Sequence, residues 1–183
     1  RSGYTGEDGF EMSVPEAAVH SLANSLLEHR DVELIGLGAR DSLRLEAGLC
    51  LYGHDIDEET SPIEAGLTWA IPSRRRAEGG FPGATLIQEE IVCGPTRRRV
   101  GILPKGRAPV REGCAIYASA TAENPIGTIT SGGFGPTLNT PVSMGYVETA
   151  FAAKDTALFA EVRRKRLPVR VVKLPFTTPS FKR

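Results

Sequence analysis

The chain has 183 residues, enough for one large domain or two small ones with a packed core. Hydrophobic residues make up 40% and charged residues 24%, which excludes disorder as the main state; 22 Lys and Arg balance 22 Asp and Glu, where a dedicated nucleic-acid binder would be basic. No apolar run approaches the roughly 20 residues of a membrane helix, and three cysteines without a CxxC pair argue against a disulfide framework and fit a reducing compartment.

The chain opens Arg1-Ser2-Gly3-Tyr4, with neither Met nor signal peptide, and enters a Gly-punctuated segment at once. It reads as a piece of a longer protein, with part of any site lying upstream. Residues 1–14 alternate around Phe10, Met12 and Val14, which predicts a strand. Ser13-Val14-Pro15-Glu16 has capping-box form, so a helix should run to about His29, with Val19, Leu22, Ala23 and Leu26 as its apolar stripe. Gly36-Leu37-Gly38-Ala39-Arg40-Asp41 leads into a second helix ending near Gly48. Trp69-Ala70-Ile71 is expected to be a strand or its end. A basic and Gly/Pro-rich break follows over Arg74–Gly83, and a domain boundary is placed near residues 80–95, giving domains 1–84 and 85–183.

Beyond the break come six short apolar runs: Val100–Leu103, Ala115–Ala118, Pro125–Thr130, Val142–Val147, Leu158–Val162 and Val169–Val172. Turn signals divide them at spacings that predict an all-β barrel or sandwich, so the fold class is α+β. Gly132-Gly133-Phe134-Gly135-Pro136 is expected to be a long turn inside it.

Nucleotide-binding, zinc-protease and serine-hydrolase motifs are absent, and the three histidines lack ligand spacing with the cysteines, so no metal site is expected. Glu7, Asp8 and Glu11 are either a solvated turn or, for Glu11, a ligand carboxylate. On a strand Glu11 shares a face with Gly9 and Ser13, where it would accept paired N–H bonds from a planar amidine-like edge. Arg40 and Arg44 share a helix face: either both are exposed and pair with Asp41 or Glu46, or one is held inward to bind a ligand carbonyl or carboxylate. Arg40, just after Gly36 and Gly38, is favoured. The basic runs Arg74–Arg76, Arg97–Arg99 and Arg163–Arg166 are solvated faces or a docking surface for an acidic partner; nucleic acid is disfavoured because no aromatics interleave with them.

Gly3-Tyr4-Thr5-Gly6-Glu7-Asp8-Gly9-Phe10-Glu11 resembles a signature of the glycine cleavage system T-protein family, the aminomethyltransferases. Gly38-Ala39-Arg40-Asp41-Ser42-Leu43-Arg44-Leu45-Glu46-Ala47-Gly48 and Leu51-Tyr52-Gly53-His54-Asp55-Ile56-Asp57 are similar to it too, as are Thr130–Pro136, Met144–Val147 and Lys173–Phe176. The resemblance spans essentially the whole chain and corresponds to the C-terminal half of the family's sequence. It implies a folate-binding α/β core followed by a C-terminal β-barrel. It also implies transfer of the methylene of an aminomethyl group from the lipoyl arm of H-protein to tetrahydrofolate, the co-substrate, with release of ammonia. The folate-binding Glu and Arg of the family fall on Glu11 and Arg40. Tyr4 is a further candidate beside the pterin, and Phe181 stands where the family can carry a folate-contacting Tyr. The family's catalytic Asp lies in the N-terminal half, so no catalytic residue is assigned here and the isolated chain is expected to be inactive. Partners implied are lipoylated H-protein and tetrahydrofolate, without nucleic acid or membrane, in bacterial cytoplasm or the mitochondrial matrix. Two alternatives stay open: the folate-binding region of a sarcosine or dimethylglycine dehydrogenase-like flavoenzyme, and a non-catalytic folate-binding relative.

Overall fold

Helices up to Cys93 give way to strands from Arg97 in the computed structural model, which describes residues 2–178. The helices are α1 (Glu16–Leu27), α2 (Leu37–Glu46), α3 (Ser73–Glu78) and α4 (Ala84–Cys93). The strands are β1 (Arg97–Pro104), β2 (Ala115–Tyr117), β3 (Gly127–Gly135), β4 (Thr140–Glu148), β5 (Ala157–Val162) and β6 (Lys165–Val172). All six expected runs are strands. They close as an antiparallel barrel in the order β1-β4-β3-β2-β5-β6, with β1 pairing with both β4 and β6.

Alternation along each strand builds the interior. Val169 and Val171 of β6 point in while Arg170 points out, and Leu158 and Ala160 of β5 do the same. With Val100, Ile102, Val110, Ile116, Ile129 and Val147 they form one core. Strand β4 breaks the alternation, because Pro141 to Val147 are all buried. Val147 faces the barrel core. Val142 and Met144 face outward into a second cluster with Leu45 of α2, covered by Leu103, Leu174 and Phe176. Helix α2 therefore roofs β3 and β4 from outside.

Several expectations are corrected. Residues 2–14 form bends and irregular chain rather than a strand; Phe10 is 73% exposed, and no strand pairs with the segment among the described residues. A period-two pattern without a partner edge has nothing to bond its backbone to. Helix α1 starts at Glu16, with Pro15 as its N-cap and no side-chain cap bond, so the capping box does not form. Trp69 lies in a 3-10 turn, Thr68–Ala70, and is 78% exposed. The expected break contains α3, and α4 covers residues that carried no helix expectation.

The glycine run is strand, not turn. Gly132 and Gly135 belong to β3 and pair with Ser143 and Thr140 of β4. A Cβ on Gly132 would collide with the carbonyl oxygen of Val110, and one on Gly135 would sit 2.6 Å from Glu46 Oε1. These glycines mark close approach by other segments rather than chain reversal. The turn lies beyond them, where buried Glu46 of α2 accepts the backbone N–H groups of Thr137 and Leu138, both at 3.0 Å.

The β5–β6 hairpin turns on two residues, Arg163 and Arg164, with φ of 50° and 63°. That is the left-handed geometry of a two-residue hairpin, normally filled by Asn-Gly. Arginine there costs about 1–2 kcal/mol per residue against glycine.

Candidate functional site

Gly36, extended at φ −93°, delivers the chain into α2 so that the helix begins one residue later. Arg40 and Arg44 are one turn apart, and their environments differ completely. Arg40 is exposed at the helix start, with its guanidinium 5.0 Å from the centre of the Tyr4 ring. Arg44, a turn deeper, is 4% exposed. Its Nε donates to Asp41 at 2.8 Å, and its Nη1 donates to Asp55 at 2.8 Å and to Ser131 Oγ at 3.0 Å.

The arginine held inward is therefore Arg44, not Arg40, and its partners are groups of the protein itself, the carboxylates of Asp41 and Asp55 first among them. What selects it is Asp55, which is 1% exposed. That carboxylate accepts from Arg44, from the Leu51 N–H at 2.9 Å, from Thr130 Oγ1 at 2.5 Å and from Ser131 Oγ at 2.8 Å. The Asp55 carbonyl accepts from the Tyr146 hydroxyl at 2.7 Å. Asp55 thus ties α2, the following loop and strands β3 and β4 into one polar knot. Sequence reasoning missed it as a key residue. The only local signal was its place in Tyr52-Gly53-His54-Asp55, and Thr130 and Ser131 are more than seventy positions away.

Beside the knot, Tyr4, Leu37, Arg40, Asp41, Arg44 and Leu51 line a pocket of about 260 Å³. It joins an aromatic face, an aliphatic wall and a solvent-facing guanidinium. Burial pushes the Tyr4 hydroxyl above its ordinary value, and Arg44 and Arg40 pull the other way. Tyr4 and Arg40 are thus brought together. Glu11 is exposed and does not line this pocket. Phe181 lies outside the described residues.

All three basic runs are partly engaged. Arg97 donates to Glu64 at 2.7 and 3.2 Å and lies 4.7 Å from the Tyr146 ring centre. Arg99 donates to the carbonyls of Ala65 and Gly48, both at 2.9 Å. Both strap the segment around residues 61–65 against β1, which leaves Arg98 as the solvated member. Arg166 pairs with Glu161 at 2.6 Å and lies against the Tyr117 ring, 3.1 Å from its centre. In the third run, Arg74 pairs with Glu78 at 3.0 Å across one helical turn.

Comparison with known proteins is consistent over the whole chain. The model of a family described as the GCVT N-terminal domain matches residues 1–75, and that of the glycine cleavage T-protein C-terminal barrel domain matches residues 97–177. A protein named probable aminomethyltransferase, mitochondrial, from Schizosaccharomyces pombe is 49% identical over 99% of this chain and 46% of its own length. A mitochondrial aminomethyltransferase from Solanum tuberosum is 51% identical over 99% of this chain and 44% of its own. The crystal structure of glycine cleavage system aminomethyltransferase T from Bartonella henselae superposes with a TM-score of 0.94 at 48% identity, over 100% of this chain and 50% of that one. The chain spans about half the length of the relatives it matches.

Proposed function

The chain belongs to the glycine cleavage T-protein family, and from that premise we propose that it serves an aminomethyltransferase, contributing part of the surface that holds tetrahydrofolate. In this reading residues 1–84 are the folate-facing part of the core and residues 85–183 the barrel. The overall reaction takes the aminomethyl group from the lipoyl arm of H-protein, passes its methylene to tetrahydrofolate and releases ammonia. The resemblance puts the catalytic Asp in the family's other half. The part argued for this chain is binding and orientation. It works in the mitochondrial matrix if the source is eukaryotic and in the cytoplasm if bacterial; no helix among the described residues is long and apolar enough to cross a membrane.

The observation that carries the reading is the meeting of Tyr4 and Arg40, from two separate signatures, in one pocket. A tyrosine ring offers a face for a flat heterocycle, and a guanidinium offers a planar fork for a carbonyl or carboxylate. Buried Arg44 fixes the helix that carries Arg40, so the fork is held without being neutralised by Asp41, which Arg44 occupies at 2.7 Å. Glu11 is assigned by its place in the first signature, accepting N–H bonds from the pterin's amino edge. Phe181 is assigned by its place near the C-terminus, as a stacking surface.

Calorimetric titration with tetrahydrofolate tests this. Glu11→Gln is expected to weaken binding roughly 10- to 150-fold, the loss of one charged hydrogen bond of about 1.5–3 kcal/mol. Arg40→Lys and Tyr4→Ala should each weaken it, the first because an ammonium cannot reproduce the fork. Unchanged affinity in all three folded variants would refute the assignment. Given aminomethyl-loaded H-protein and tetrahydrofolate, the 183-residue chain alone is expected to form no methylene-tetrahydrofolate.

A further inference from the structure

The barrel carries a concavity of about 400 Å³ on the side of the β5–β6 hairpin, separate from the Tyr4 pocket. Its floor is apolar and partly buried, with Pro109, Val162 and Leu167 prominent, and its rim is cationic, with Arg111, Arg163 and Lys165. Each rim residue is exposed and pairs with no carboxylate among the described residues. The contrast within the same run is sharp, because Arg166 is taken by Glu161 and Tyr117 while Arg163 and Lys165 face outward. Glu112, next to Arg111, is turned to His54 at 2.8 Å.

The hairpin turn supplies the second observation. Arg163 and Arg164 sit at left-handed positions that Asn-Gly would fill without strain. Two arginines stand there at the expense of local conformation, and backbone strain of this kind clusters at binding and switch sites.

We propose that this groove binds an acidic peptide segment of a partner protein, with an aliphatic side chain on the floor and carboxylates on the rim. The apolar floor distinguishes such a ligand from a bare anion, and the lack of floor aromatics distinguishes it from single-stranded nucleic acid, whose bases need faces to stack on. The site lies on the barrel and involves none of the residues assigned to folate, so the inference does not depend on that assignment.

The test uses the full chain and a short fluorescent peptide of glutamates around two leucines, read by anisotropy. The combined Arg111→Glu, Arg163→Glu and Lys165→Glu variant should bind at least about tenfold more weakly, and Arg98→Glu, elsewhere on the barrel, should change affinity less than about twofold. Added salt should weaken the wild-type complex. Bound peptide should slow alkylation of Cys114, which lines the groove, and leave exposed Cys93 unaffected. A second variant, Arg163→Asn with Arg164→Gly, relaxes the turn while removing charge; it should melt no lower than wild type and still bind more weakly, which a purely structural role for the arginines does not produce. Affinity within twofold of wild type in both variants would overturn the proposal. So would equal binding by a peptide with serines in place of the leucines, or equally effective displacement by polyphosphate of matched charge.

Discussion

Arg44 and Asp55 meet at 2.8 Å with side chains only 4% and 0% exposed, one on a helix and the other on a loop pressed against the barrel. A buried pair of this kind adds little over a well-packed apolar pair, yet breaking it is expensive because the remaining charge stays out of water. Its value here is positional. Arg44 also reaches Ser131 on β3 and the Leu49 carbonyl, so the register of α2 against the barrel is set by directional bonds as well as by Leu45 packing on Val142 and Met144.

Asp55→Ala should therefore destabilise the protein by about 3–5 kcal/mol. At about 2–4 °C per kcal/mol for a chain of this size, the melting temperature falls by roughly 6–20 °C. Ser131→Ala should cost only about 1 kcal/mol. The double variant should fall short of the sum, because both residues share Arg44 as a partner. Calorimetric melting of the four proteins measures it.

Three glycine-to-alanine exchanges should differ in size and sign. Gly132→Ala places a methyl on the Val110 carbonyl and should cost about 3 kcal/mol or more. Gly53→Ala has open space but a φ of 86°, and should cost about 1–2 kcal/mol. Gly38→Ala, inside α2 with nothing within 4 Å, should stabilise by about 0.5–1 kcal/mol. Urea midpoints at constant slope would rank them.

Burial holds the Tyr146 hydroxyl well above the ordinary tyrosine range, with Arg99 and Arg97 opposing and Cys50 and Glu64 reinforcing. Above pH ~10 the unfolded chain releases a proton that the native state keeps, so stability falls as pH rises through that region. Tyr146→Phe should remove this part of the alkaline loss. At neutral pH it should cost about 1–3 kcal/mol, since the Asp55 carbonyl loses its donor. Stability measured from pH 7 to 11 in both proteins separates the two effects.

The cysteines should label in order of access. Cys93 is exposed, while Cys50 is half-buried and its thiol is pushed up by burial, only partly offset by Arg99. With iodoacetamide at pH 8, Cys50 should react at least about tenfold more slowly than Cys93, and its rate should keep climbing past pH ~8.5. Peptide mass mapping over time reads both.

What was legible in the sequence was whatever local pattern encodes. The six apolar runs are six strands, and the glycine-led entry over Gly36–Asp41 coincides with the start of α2 at Leu37. What was not legible depends on partners far along the chain. Arg40 and Arg44 look alike by spacing, and only Asp55 and Ser131 decide which turns inward. Gly132 looks like a turn signal until Val110 is seen lying across it. The alternation around Phe10 and Met12 suggested a strand, but pairing requires a second edge, which a pattern cannot supply.

Strand β1, by which the chain enters the barrel, lies beside β6, by which it leaves, with Gly101 opposite Val172. Beginning and end of this unit are therefore neighbours, and its sheet has no free border to recruit a foreign strand. Joining them through a short linker and reopening the chain between Arg163 and Arg164 would give a circular permutant that keeps every strand neighbour while moving its termini to the opposite end of the hairpin.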